Sequence, residues 1–130
     1  MADVTVKRVE DFETYYLGSM KKVRSGLGVS SFGMQVMDLA ANESRYPDHD
    51  HADSGQEEVY IVLDGAATLQ VAGDEHRLEP GVFARVGPGE KRKIVTGDEP
   101  ARILALGGTP GKAFEAQPMT DEGEPDPLAG

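Results

Sequence analysis

Apolar residues in this chain fall into short runs cut off from one another by glycine and proline. The runs cover residues 32–39, 58–64, 66–72, 81–86, 91–95 and 101–106, about 5–8 residues each, which is strand length. Several are rich in β-branched residues, which suit a pleated and half-buried surface. Asp64-Gly65 and Gly73-Asp74 fall between neighbouring runs and read as hairpin turns, where residues tolerant of positive φ are needed. Helical candidates are confined to residues 9–16 and a turn near Met20, and neither sustains a 3.6-residue apolar period. Many short strands separated by turn residues predict an all-β antiparallel domain, a sandwich or a barrel with little helix. The texture changes after Gly111. Residues 113–130 carry five acidic residues, three prolines and almost nothing to bury, and read as a solvated tail from which Phe114 could still dock. The expected organisation is a barrel domain over residues 1–112 followed by this tail, with no internal repeat.

Composition narrows the partners. A chain of 130 residues is long enough for one domain with its own core. Hydrophobic residues make up 38% and charged residues 28%, too apolar for a fully disordered chain. Thirteen basic residues against 23 acidic ones give a formal charge of −10. That balance argues against nucleic acid and against an anionic membrane surface, both of which need a Lys/Arg surplus. It leaves room for a cation. The absence of cysteine removes disulfides, thiolate metal sites and cysteine nucleophiles together. No apolar leader segment is read at the N-terminus, and no stretch approaches the ~18 to 20 apolar residues of a membrane span. A cytoplasmic location is the expectation.

The charge has two addresses. Residues 48–58 contain Asp48, Asp50, Asp53, Glu57 and Glu58 without a Lys or Arg, and the 113–130 segment holds the other five unbalanced acids. The first address also holds His49 and His51. On an extended backbone, residues two apart share a face roughly 6.5–7 Å apart, so the two imidazoles converge while Asp48 and Asp50 turn away. A carboxylate from the next strand, which Glu58 opens, would complete a donor set suited to divalent iron, manganese, nickel, cobalt or zinc. Taken alone, a His-x-His pair flanked by aspartates is equally well read as polar loop filler.

The wider pattern shifts that balance. His49-x-His51, a short loop, Glu58 and then Gly65 resemble the first signature of the cupin superfamily. The stretch Gly81-Val-Phe-Ala-Arg-Val-Gly87-Pro88-Gly89 is similar to the second, and the two arrive in order over roughly residues 30–107. The resemblance implies a jelly-roll β-barrel holding a metal or ligand inside, and a homodimer as the assembly. Two departures stand out. The loop after His51, though short, is longer than the usual family spacing, which makes Glu57 a rival to Glu58. Glu58 is preferred because it keeps the family distance to Gly65 and shares strand parity with Tyr60 and Val62. At the position of the family's remaining metal-binding histidine stands Arg92, whose permanently charged guanidinium does not ligate a metal.

Two arrangements follow. His49, His51 and Glu58 bind a divalent metal with open positions, or the metal is absent. In either, Arg92 clamps a ligand's carboxylate or phosphate, or pairs with Glu58 as a buried ion pair. Tyr60 is a second ligand-binding candidate, and with Arg92 a catalytic one, although a barrel-facing tyrosine is commonly a packing residue. His76 follows a turn and reads as a solvent-facing edge residue. Met34, Val36 and Met37 read as core, and Lys91 and Lys93 as solvent-facing neighbours of Arg92. Ser30, Ser31 and Ser54 have no partners for a nucleophile, and Gly26-Leu27-Gly28 is not a phosphate loop. Three functions of different kinds remain: a metal-dependent oxygenase, isomerase or lyase acting on a small polar molecule; a ligand-binding or sensing barrel without catalysis; and a metal-free barrel whose polar cluster is structural.

Overall fold

Turn residues and strand alternation decide where the chain reverses. The computed structural model describes residues 2–129; Met1 and Gly130, the outer ends of the expected domain and tail, lie outside them. Among the described residues the strands are β1 (Thr14–Tyr15), β2 (Met20–Lys21), β3 (Gly33–Leu39), β4 (Glu57–Gly65), β5 (Ala67–Val71), β6 (Asp74–Leu78), β7 (Phe83–Val86), β8 (Arg92–Val95) and β9 (Ala101–Gly108). One short helix, α1 (Val23–Leu27), interrupts them, with single 3₁₀ turns at Val9–Asp11 and Pro118–Thr120. The strands form a six-stranded sheet ordered β1-β2-β3-β9-β4-β7 and a three-stranded sheet ordered β6-β5-β8, with every pairing antiparallel. This is an all-β jelly-roll arrangement with little helix.

The core lies between the two sheets. Met37 and Leu39 of β3, Tyr60 and Val62 of β4, Leu69 of β5, Leu78 of β6, Val86 of β7, Ile94 of β8, and Ile103 of β9 all bury there. Their alternation along each strand is the period-two pattern of the sequence, one face inward and one outward. The outer face of β3 and β9 is also covered. Val36, Met34 and Leu104 pack there against Phe12, Val23, Val9 and Leu27, brought over by the N-terminal arm. Methionine and valine on alternate positions of β3 are therefore core on both faces, and the arm expected to be helical contributes a strand pair and only one turn and a half of helix.

The β5–β6 hairpin forms where Gly73-Asp74 predicted it, but one residue earlier: Ala72 and Gly73 make the turn at positive φ (53° and 80°), and Asp74 already pairs with Val71. Asp64-Gly65 does not form a hairpin. β4 and β5 lie in different sheets, and the chain crosses between them here. A bulge between Val62 and Asp64 bends β4, and Gly65 has φ +79° with no room for a side chain, since a Cβ would sit 1.9 Å from the Pro100 carbonyl oxygen. The local signature of a hairpin and that of a sheet-to-sheet corner are the same pair of residues, so sequence alone could not separate them.

The acidic segment after Gly111 is not free. Thr120 is buried, and Ser25 Oγ donates to its carbonyl at 2.7 Å. The Asp126 carboxylate accepts from the backbone N–H groups of Tyr16 and Leu17 at 3.0 and 2.7 Å. Those two residues hold positive φ without being glycine, so their N–H groups depend on this cap. Arg24 pairs with Asp121 and stacks over the Phe114 ring, and the buried Lys22 ammonium donates to the carbonyls of Asp121 and Glu124. The segment that reads as solvated is strapped across the N-terminal arm by basic residues that look like surface residues in sequence.

Candidate metal and ligand site

The loop from Tyr46 to Gln56 is not a strand, but it is stitched to one. His49 makes a single antiparallel bridge with Arg92: His49 N–H donates to the Arg92 carbonyl at 3.0 Å and Arg92 N–H to the His49 carbonyl at 2.8 Å. His51 N–H donates to the Pro88 carbonyl at 2.9 Å, and Gly55 N–H closes the loop back on the His51 carbonyl. Alternation survives without a regular strand, and Asp48 and Asp50 are exposed while both imidazoles turn inward. β4 then brings Glu58 up from below, on the face shared with Tyr60 and Val62.

One ligand atom from each of His49, His51 and Glu58 can be chosen so that all lie within 4.8 Å of one another. His51 Nε2 is 3.0 Å from Glu58 Oε1, and His49 Nε2 is 3.8 Å from the same oxygen. His49 Nδ1 sits 2.9 Å from the Pro47 carbonyl oxygen, which only accepts. That contact puts the proton on Nδ1 and leaves Nε2 of the neutral ring with its lone pair directed at the site, the arrangement by which ligating histidines are usually oriented. Glu57, the rival carboxylate, points outward and pairs with Arg85 at 2.8–2.9 Å. His76 lies exposed on the edge strand β6, far from the cluster in the sheet order.

Glu58 Oε1 also accepts from the Tyr60 hydroxyl at 2.7 Å, and Tyr46 lies 3.3 Å beyond, hydroxyl to hydroxyl. Burial alone would push the Glu58 carboxyl up, but its contacts with His49, His51 and Tyr60 outweigh that and hold it well below the usual carboxylate range. The Glu58 carboxylate raises the His49 imidazole, against burial. Burial, then Tyr46 and Glu58, pushes the Tyr60 phenol far up, and it stays a neutral donor. Tyr46 had no role in the sequence reading. The signal available was an aromatic residue three positions before the first histidine.

Arg92 enters from β8 beside Ile94, both completely buried. Its Nη2 donates to the Gly87 carbonyl at 2.9 Å, and Nη1 lies 3.7 Å from Glu58 Oε1, an ion pair beyond hydrogen-bonding distance. Nε and Nη1 have no partner. Lys91 is exposed and Lys93 half-buried, in line with their parity. A cleft of about 720 Å³ opens elsewhere, in the seam between the edges of β6 and β7, and touches none of His49, His51 or Glu58.

These residues fit a divalent cation by their chemistry: two imidazole nitrogens and one carboxylate, convergent and half-buried, with one ring already held in the ligating tautomer. The comparisons agree on the class. The model of the cupin domain matches residues 35–107, more than half of the chain, and the chain belongs to the cupin family. Solved structures of the same fold include a cupin protein from Bacteroides fragilis, with a TM-score of 0.70 at 23% identity over 93% of this chain and 96% of that one. They also include a sugar phosphate isomerase of the cupin superfamily from Silicibacter pomeroyi (TM-score 0.66, 23% identity, 79% and 74% of the two chains). A third is the cupin domain of an XRE family transcriptional regulator from Enterobacter cloacae (TM-score 0.54, 17% identity, 62% and 83%). Among curated protein sequences none matches. Identities this low establish the fold, and an isomerase and a regulator on one fold leave the chemistry to the site itself.

Proposed function

We propose that this cupin binds a divalent transition metal through His49, His51 and Glu58 and acts on, or binds, a small polar molecule inside the barrel. The observation that carries the reading is the convergence of the three donor atoms within 4.8 Å with His49 Nε2 freed by the Pro47 carbonyl. Iron, manganese, nickel, cobalt and zinc all suit this donor set. When bound, such an ion supplies a Lewis acid with open positions. The chain supplies the rest. Glu58 gives the single negative charge, Tyr60 orients Glu58 through its hydroxyl, and Arg92 Nη1 stands 3.7 Å from the same carboxylate oxygen. Reaction classes consistent with this layout are those of an oxygenase, isomerase or lyase.

A second reading has an observation of its own. Glu58 already receives His51 and Tyr60, and Arg92 balances its charge, so the cluster is neutral without a metal. That favours a metal-free ligand-binding or sensing barrel. Elemental analysis of tag-free protein separates the two. The metal reading expects about one equivalent of a divalent metal, lost in the His49→Ala/His51→Ala variant. A double variant that keeps the same metal content refutes it. The protein is expected to be cytoplasmic and to pair as a homodimer through the outer face of β4 and β7, where Leu63 and Phe83 are exposed. Light scattering on the purified protein tests the pairing.

A further inference from the structure

Arg92 is neutralised but not satisfied. Its side chain is completely buried, yet Nε and Nη1 have no hydrogen-bond partner. Glu58 does not meet that need. Its Oε1 is already taken by the Tyr60 hydroxyl at 2.7 Å and by His51 Nε2 at 3.0 Å, while Arg92 Nη1 stands off at 3.7 Å. Buried donors left unpaired on a charged group are costly, and native proteins keep them where something else completes the set. Lys22 shows how the same chain treats a buried cation with only a structural task. Its ammonium is aimed at two backbone carbonyls, both at 2.9 Å.

Charge points the same way. With neutral imidazoles, Glu58 and Arg92 sum to zero, and a divalent ion would raise that to +2 in a half-buried cluster. An excess of that size in a low-dielectric site calls for an anion. Nε and Nη1 lie on different edges of the planar guanidinium, so each offers a carboxylate oxygen one charge-assisted hydrogen bond. We infer that the site takes a small carboxylate, anchored by the free N–H groups of Arg92 and lying against the His49–His51–Glu58 cluster. The charge argument rests on the proposed metal. The anchor does not, because Arg92 Nε and Nη1 lack hydrogen-bond partners in the metal-free protein.

The test uses malonate, its neutral isostere malonamide and inorganic phosphate, titrated calorimetrically into the whole chain in cobalt-loaded and metal-free form. The expected result is that malonate binds, that malonamide binds at least about tenfold more weakly, and that Arg92→Gln loses about tenfold or more in malonate affinity when compared with the wild type at equal cobalt occupancy. If the wild type takes up no cobalt, the metal reading falls, whereas Arg92-dependent malonate binding by the metal-free protein still upholds the anchor. If Arg92→Gln does not fold, the malonate-to-malonamide ratio on the wild type decides. The inference is overturned if malonamide binds as well as malonate, if Arg92→Gln binds malonate as the wild type does, or if neither form binds malonate at millimolar concentration. Arg92-dependent binding of phosphate in place of malonate overturns the assignment to a carboxylate.

Discussion

Replacing Glu58 with glutamine removes the carboxylate that faces a completely buried arginine while keeping the shape of the side chain. At the observed 3.7 Å, and at an effective dielectric of about 20, the attraction being removed is about 4–5 kcal/mol. The Tyr60 and His51 hydrogen bonds to the carboxylate weaken at the same time, because a neutral amide oxygen is a poorer acceptor than a charged one. Glutamine recovers part of this by keeping an oxygen near Tyr60. Breaking a buried pair from one side costs roughly 3–5 kcal/mol, which is a large share of the stability of a domain this size. The expected loss for Glu58→Gln is therefore about 3–5 kcal/mol, read as the shift in a urea denaturation midpoint at constant slope. The pairwise part is isolated by a cycle with Arg92→Met. With the guanidinium gone, Glu58→Gln should cost less by about 2–3 kcal/mol. A coupling below about 0.5 kcal/mol would mean that Arg92 and Glu58 are electrostatically independent, and the account of the site as a balanced charge pair would be wrong.

Two further outcomes test the frame around the site. Gly65→Ala places a Cβ 1.9 Å from the Pro100 carbonyl at φ +79°, and should cost at least about 2 kcal/mol, lowering Tm by roughly 6 °C or more. Gly73→Ala, at φ +80° with open space around it, should cost less, and equal melting temperatures for the two variants would show that the sheet-to-sheet corner is not tight. The N–H groups of Leu128, Leu17 and Tyr16 hold the Asp126 carboxyl below its ordinary range. A depressed carboxyl contributes stability that is present above its unfolded pKa, near 3.9, and is lost as pH falls through the folded value. Hydrogen exchange corrected for its intrinsic rate should then show residues 113–129 losing protection below about pH 4 before the barrel strands do, and protection unchanged down to about pH 3 would contradict the strap.

What sequence could and could not show follows from range. Strands β3, β4, β5, β7, β8 and β9 were legible because alternation and turn residues are local signals. β6 was not, because Asp74–Leu78 is almost wholly charged and earns its strand only by pairing with β5. Strands β1 and β2, two residues each, exist through contact with β3 and with the 113–129 strap, and the strap's contact to Leu17 comes from 109 residues away. At the site, the proximity of His49, His51 and Glu58 was suggested by spacing and parity together with the cupin resemblance, and parity also turns Glu57 outward to Arg85. The Pro47 contact that fixes the His49 tautomer, the partnership of Tyr46 with Tyr60, and the unsatisfied Nε and Nη1 of Arg92 depend on three-dimensional geometry and left no trace in the pattern.

The tyrosine chain has a practical consequence. The sequence has no tryptophan and four tyrosines, so its near-ultraviolet absorption and emission come chiefly from phenols. Two of the four, Tyr46 and Tyr60, lie in line with the Glu58 carboxylate, hydroxyl to hydroxyl and hydroxyl to oxygen. Whatever occupies or protonates that carboxylate acts on half of the chain's chromophores. Binding at the site is therefore open to observation by tyrosine difference spectra in the unlabelled protein, with the barrel wall itself as the dye.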